Sequence, residues 1–134
     1  MNENCIFCKI INGDIPCAMI YQDEETFAFL DINPINDGHT LIIPKHHHEN
    51  IFSTPSDIFA KMAITAQKIA KRQKEILGAD GINIGMNNEP DAGQVVFHAH
   101  IHVMPRFKND GYDLWKGKTY KEGEIEKIQN KLKF

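Results

Sequence analysis

Apolar and polar positions along the chain switch between two periods, and the switches mark the elements. Cys5 to Asn12 (CIFCKIIN) sets Ile6, Phe7, Ile10 and Ile11 at helical spacing before Gly13, which predicts a short amphipathic helix. Ala18–Tyr21 and Thr26–Ile32 read as strands joined by the acidic turn Asp23-Glu24-Glu25. Pro34 to Gly38 is loop, with strong turn chemistry in Asn36-Asp37-Gly38. His39 to Pro44 (HTLIIP) is a third strand, and its apolar run predicts burial on both faces. One long helix follows. Thr54 is placed as its N-cap, Pro55 at its first position and Asp57 near its positive end. Ile58, Phe59, Met62, Ala63, Ala66, Ile69, Ala70, Ile76 and Leu77 then form one stripe, which stops at Gly78 and is expected to pack on a sheet. Ile82–Met86 and Val95–Met104 read as the fourth and fifth strands, with a turn-rich loop from Asn87 to Gly93 between them. Residues 105–123 look irregular, and a last short helix is expected from Glu124 to Phe134. The pattern predicts an α+β domain: a five-stranded antiparallel sheet, one long helix and short terminal helices.

Composition narrows the classes. With 134 residues, the chain suffices for one domain (1–134), with a core of about 5–106 and a variable tail over 107–134. Hydrophobic residues at 42% and charged ones at 25% exclude a disordered or coiled-coil chain. No apolar run approaches the roughly 18 residues that cross a bilayer, and Met1-Asn2-Glu3-Asn4 carries no basic start of a secretory signal. The net charge of −3 offers no broad basic surface for nucleic acid. A cytoplasmic protein, binding neither membrane nor nucleic acid, is expected.

Histidine is the anomaly. All seven lie in three places: His39, the run His46-His47-His48, and the alternating set His98, His100, His102. In a strand, residues two apart share a face, so the last three should project together while Phe97, Ala99, Ile101 and Val103 cover the core side. Two chemistries suit such a row: metal ligation, or nucleophilic and acid–base work on an anionic substrate. Cys5-x-x-Cys8 has no strand before it, as a redox pair would need, but suits zinc if two further ligands arrive; Cys17 stands alone. Neither Gly-x-x-x-x-Gly-Lys-Ser/Thr nor Gly-x-Gly-x-x-Gly occurs, so a phosphate would have to be held by the histidine strand itself.

The run from Gly93 through Gln94, His98, His100, His102 and Pro105 to Arg106 resembles the signature of the histidine triad (HIT) family of nucleotide hydrolases and transferases, His-Φ-His-Φ-His-Φ-Φ with Φ apolar. The resemblance continues, in the family's order, through Cys5–Pro16, Phe27–Ile32 and Gly38–Lys45. It implies that His100 attacks the α-phosphorus of a nucleotide, forming a nucleotidyl-histidine that water hydrolyses. His102 would hold phosphate oxygens, His39 would support the triad, and Gln94 would lie near the phosphates and leaving group. Val95 departs from the Ser or Thr of several members, and cannot donate a hydrogen bond. By the same resemblance Asp31 receives ribose hydroxyls; Ile6, Phe7, Phe29, Ile32 and Leu41 line the base slot; and Asn87 contacts phosphate or sugar, with Asn88 an alternative register. Zinc-bearing bacterial members match at Cys5, Cys8, His47 and His98, which implies a closed structural zinc site. A phosphoramidate of a purine nucleotide is the implied substrate, and a homodimer the implied assembly. The alternatives are a diadenosine polyphosphate hydrolase, a zinc-dependent metallohydrolase using all three triad histidines, and a nucleotide-binding module.

Overall fold

A computed structural model of the chain describes residues 2–134. Helix α1 (Ile6–Ile11) is followed by strands β1 (Met19–Gln22), β2 (Thr26–Leu30) and β3 (Thr40–Pro44). Then come the long helix α2 (Ser56–Leu77), β4 (Gly81–Gly85), a single 3-10 turn at Pro90–Ala92, β5 (Ile101–Arg106) and α3 (Glu124–Leu132). The five strands form the single antiparallel sheet that the sequence pattern predicts, in the order β1-β2-β3-β5-β4.

The pleat divides the core in two. Ala28, Ile42, Ile101 and Val103 point to one face, where Met62, Ala66 and Ile69 of α2 cover them. Phe27, Phe29, Leu41 and Ile43 point to the other, against Cys5, Phe7 and Cys8. Every residue of β3 is buried, so the expectation of a two-sided strand holds.

Several boundaries differ from the sequence reading. Helix α2 starts at Ser56 with Pro55 in the cap position, and the Thr54 hydroxyl does not cap it but donates to the Asn50 carbonyl at 2.7 Å. The stripe of α2 is buried in its middle, whereas Ala63, Ile76 and Leu77 are exposed. The fifth strand begins at Ile101, not Val95, and runs on to Arg106; Phe97 is consequently exposed rather than core-facing. Proline inside a central strand has a local reason. The Pro105 carbonyl accepts from Asn36 Nδ2 at 2.9 Å on the side where the β3 ladder has already ended at Thr40–Val103, so no ladder donor is lost there. Gly38, at φ +96°, brings β3 under the end of α2: a Cβ there would lie 2.4 Å from Leu77 Cδ1.

Candidate active site and metal centre

The three alternating histidines lie on the sheet face that α1 covers, but they engage three different partners. Cys5, at the cap of α1, and Cys8, on its first turn, are buried beside His98, which is fully enclosed. The Nδ1 of His98 lies 3.4 Å from Cys5 Sγ and 3.5 Å from Cys8 Sγ, and the Nδ1 of His47 lies 3.4 Å from Cys8 Sγ. The four ligand atoms fall within 4.8 Å of one another. With bonds of about 2.3 Å to sulfur and about 2.0–2.1 Å to nitrogen, a tetrahedral zinc site has sulfur–nitrogen edges of about 3.6 Å. The donor set therefore fits zinc in number, type and spacing. The proton on His98 is in the right place as well: Nε2 faces the Pro44 carbonyl at 2.8 Å and must donate to it, which leaves the Nδ1 lone pair facing the sulfurs. Burial lowers the His98 pKa to about 4 and also lowers that of His47, so both are neutral ligands at pH 7. Cys17 takes no part, and packs at the margin of the α1-side core.

His100 is fixed by the backbone of its neighbour. Its Nδ1 lies 2.7 Å from the His98 carbonyl, an atom that can only accept, so Nδ1 carries the proton and Nε2 holds the free lone pair. The only sealed side-chain polar atom without a partner among the described residues is Gln73 Oε1, so the unpartnered Nε2 of His100 keeps contact with solvent. The Phe7 ring meets the imidazole edge-on at 5.2 Å. Burial lowers the His100 pKa, against the opposing pull of the His98 carbonyl, and keeps the lone pair available in neutral solution.

His102 belongs to a proton chain. The Ile35 amide donates to His39 Nδ1 at 3.2 Å, so the neutral His39 carries its proton on Nε2. That proton is donated to His102 Nδ1 at 2.9 Å, which leaves His102 with Nε2–H as an outward donor suited to a phosphate oxygen. Asp31 Oδ2 lies 3.6 Å from His39 Nε2, while its Oδ1 accepts from the Asn33 amide at 2.8 Å. Burial, reinforced by the neighbouring His100 and His39, lowers the His102 pKa to about 4. Asp31, His39 and His102 also gather three potential ligand atoms. They make a poor metal site, because the nitrogen of His39 that would have to bind is the one bearing the proton.

The remaining candidates separate. Phe7, Phe29 and Leu41 are buried in the α1-side core, Ile6 is half-exposed, and Ile32 is 91% exposed on the loop after β2. Asn88 Oδ1 is taken by the Ile51 amide at 2.8 Å, whereas the side chain of Asn87 lies against Gly93. Gln94 is buried and its amide is committed to the scaffold: Nε2 donates to the carbonyls of Glu49 (2.7 Å) and Val96 (3.1 Å), and Oε1 accepts from the Glu89 amide (2.9 Å). That last bond steadies Glu89, a non-glycine residue at φ +76°. Val95 is exposed. Sequence reasoning missed the backbone groups that set the tautomers, namely the carbonyls of Pro44 and His98 and the amide of Ile35. No side-chain signal marks them.

The model of the HIT domain matches residues 12–109. The chain is 42% identical to "Protein hit" of Bacillus subtilis over 134 residues, covering 97% of this chain and 92% of the relative. It is 38% identical to the adenylylsulfatase HINT3 of Arabidopsis thaliana, covering 93% of this chain and 62% of that longer protein. Among solved structures, a zinc-bound histidine triad family protein from Mycobacterium smegmatis superposes with a TM-score of 0.80 at 43% identity, covering 87% of this chain and 84% of that one.

Proposed function

The chain belongs to the HIT domain family, and from that premise we propose that it is a nucleotide hydrolase working through a nucleotidyl-histidine at His100. The observation that carries the reading is the His100 tautomer: Nδ1–H on the His98 carbonyl, and a solvent-reaching lone pair on Nε2. In this reading the Nε2 lone pair forms a bond to the α-phosphorus, and the bond from phosphorus to the leaving nitrogen breaks, with the departing amine taking a proton from solvent. The imidazole becomes positively charged, and the His98 carbonyl stabilises it through Nδ1–H. Water then displaces the histidine and releases the nucleoside monophosphate. His102 donates its Nε2–H to a phosphate oxygen, and His39 fixes that donor. Asp31 Oδ2 accepts from ribose, Asn87 faces the phosphate or sugar, and Gln94 lies near the phosphates while its bond to the Glu89 amide holds the loop that carries Asn87. Ile6, Phe7, Phe29, Ile32 and Leu41 border the purine. Cys5, Cys8, His47 and His98 hold a structural zinc ion, a reading that the zinc-bound relative supports.

The leaving group is best read as an amine. Among the described residues the hydrogen-bond partners of the triad histidines include no Lys or Arg, and Arg106 is taken up by Asp110 at 2.7 and 3.0 Å, by Asn83 and by the Tyr112 carbonyl. None of those partners is a cation that could meet the charge of a polyphosphate leaving group. A sulfate leaving group is the second reading, favoured by the adenylylsulfatase among the relatives. Metallohydrolase chemistry on all three triad histidines lacks a common point of ligation: only His98 joins the cysteine cluster, and only His102 joins the other. A panel of adenosine 5′-phosphoramidate, adenylyl sulfate and a diadenosine polyphosphate, with acid quench to trap the His100 adduct, tests the proposal. Fastest turnover of the amidate, with an adduct, supports it; AMP binding with no adduct and no turnover makes the protein a binding module.

A homodimer is the assembly this reading implies. β4 is an edge strand with Ile84 exposed, beside a groove lined by Phe59, Ala63, Ala70 and Met86. Among the described residues no helix is long and apolar enough to cross a membrane. Sedimentation of wild type and Ile84→Glu tests the dimer: two-fold mass for the first, and a monomer for the second.

A further inference from the structure

The backbone that carries the nucleophile is not held by the sheet. β5 begins at Ile101, and its pairing with β3 covers only Ile101, His102 and Val103, so residues 98–100 have no ladder partners. Two ties replace the ladder. The His98 ring is clamped between the Pro44 carbonyl and the two cysteine sulfurs, and the Ala99 amide donates to the His48 carbonyl at 2.7 Å, one residue beyond His47. Both ties run to the segment or the side chains of the metal centre. The acceptor that keeps the proton on His100 Nδ1 is the carbonyl of that same His98. Phe7, between the two cysteines on α1, meets the ring of His98 at 5.9 Å and that of His100 at 5.2 Å.

We propose that His98 is a positioning residue through which the metal centre sets the tautomer of His100, and so the availability of its Nε2 lone pair. The consequence for turnover rests on the nucleotidyl-histidine reading; the tautomer itself does not. With an ion bound to Cys5, Cys8, His47 and His98, the His98 carbonyl is held in place and His100 has one stable tautomer. Without the ion the four side chains are joined only by sulfur–imidazole hydrogen bonds, which are weak and tolerate several ring orientations. The 98–100 backbone is then held only by the bonds to the Pro44 and His48 carbonyls, and His100 gains the freedom to carry its proton on Nε2, where it has no lone pair to offer phosphorus.

The test reads the proton rather than the rate. In protein labelled with nitrogen-15 at histidine, two-bond correlations identify the protonated ring nitrogen of His100, which is assigned by its disappearance in His100→Gln. Zinc-loaded protein should show Nδ1–H alone, and chelated protein a mixture of tautomers. Turnover should fall about ten-fold or more on chelation, in the range that removing a supporting shell costs. His47→Cys, which keeps four ligands, should retain both zinc and the single tautomer, whereas His47→Ala should lose both. A folded, zinc-free protein with His100 still wholly Nδ1–H overturns the proposal. Zinc removal can also unfold the chain, so the coupling is measured in the loaded state too. With cobalt in place of zinc, saturation with AMP should shift the thiolate-to-cobalt absorption, because coupling between sites is reciprocal; an unchanged band overturns it. If His100→Gln retains turnover, the catalytic reading fails while the tautomer of the wild-type protein remains measurable.

Discussion

Two imidazole clusters share one face of one sheet; both His98 and His39 carry the proton on Nε2, and they differ in which ring nitrogen the backbone engages. Around His98 the backbone carbonyl of Pro44 takes the Nε2–H, so the inward Nδ1 is a bare donor facing two sulfurs. Around His39 the Ile35 amide takes the lone pair, so the inward Nε2 is a proton donor facing His102. Burial lowers the pKa in both places, so charge does not distinguish them. One backbone hydrogen bond in each case leaves the same residue type with either a bare nitrogen toward two sulfurs or a proton donor toward another imidazole. His100 lies between the clusters, and borrows its tautomer from the first and its neighbouring donor from the second.

Removing that middle residue is the sharpest test. His100→Ala should lower kcat by about 10³-fold or more, roughly 4 kcal/mol of transition-state stabilisation, while leaving zinc content and melting temperature near wild type; turnover and metal analysis on one preparation check it. Breaking the first cluster comes next. Cys8→Ser should lose zinc and destabilise the fold by about 3 kcal/mol, because the thiolate joins α1 to the 44–50 and 98–100 segments; thermal melts with and without added zinc measure it, and a variant that keeps both metal and melting temperature would overturn the assignment of Cys8. Breaking the second cluster should be milder. His39→Phe removes the Nε2–H that orients His102, and should lower kcat about ten-fold with zinc unaffected; a matching loss of zinc would show that the clusters are not separable.

The smallest effect is in pH. Folded His102 titrates near pH 4 and folded His39 below its ordinary value, whereas in the unfolded chain both titrate near 6.5. Between those values the unfolded chain binds more protons, so stability rises with pH across the window and is lost as pH falls from about 6.5 towards 4. Partial exposure discounts the effect to on the order of 1 kcal/mol between pH 6.5 and 5. Denaturant melts of wild type and His102→Asn should show a shallower slope in the variant; equal slopes would mean that His102 is not the group responsible.

Periodicity made the sheet, the long helix and the buried β3 legible, because each is a packing requirement written in apolar spacing. The start of β5 was not legible. Val95 to Met104 alternates as a strand should, but the sulfur cluster and the His48 carbonyl hold residues 98–100 in place of a neighbouring strand. Thr54 has the chemistry of a cap and spends it on the Asn50 carbonyl. The clustering of Cys5, Cys8, His47 and His98 agrees with their spacing and resemblance, since ligands announce themselves by residue type. Gln94 did not announce its partners: an amide near a glycine reads as a ligand contact, but here three backbone groups satisfy it. Tautomers were invisible for a deeper reason. They depend on main-chain carbonyls and amides, which every residue has.

The cluster of Cys5, Cys8, His47 and His98 also constrains how the molecule can be made. Its side chains come from the start of the first helix, from the segment after β3 and from the approach to β5, and Cys5 and His98 are 93 residues apart. On a ribosome the two thiols emerge early and must wait for most of the polypeptide before the last ligand arrives. Closing so long a loop is entropically costly and slow, so an ion captured before His98 appears would be held by an incomplete set. Site assembly is thereby a late event in synthesis, and chains truncated before β5 cannot complete it.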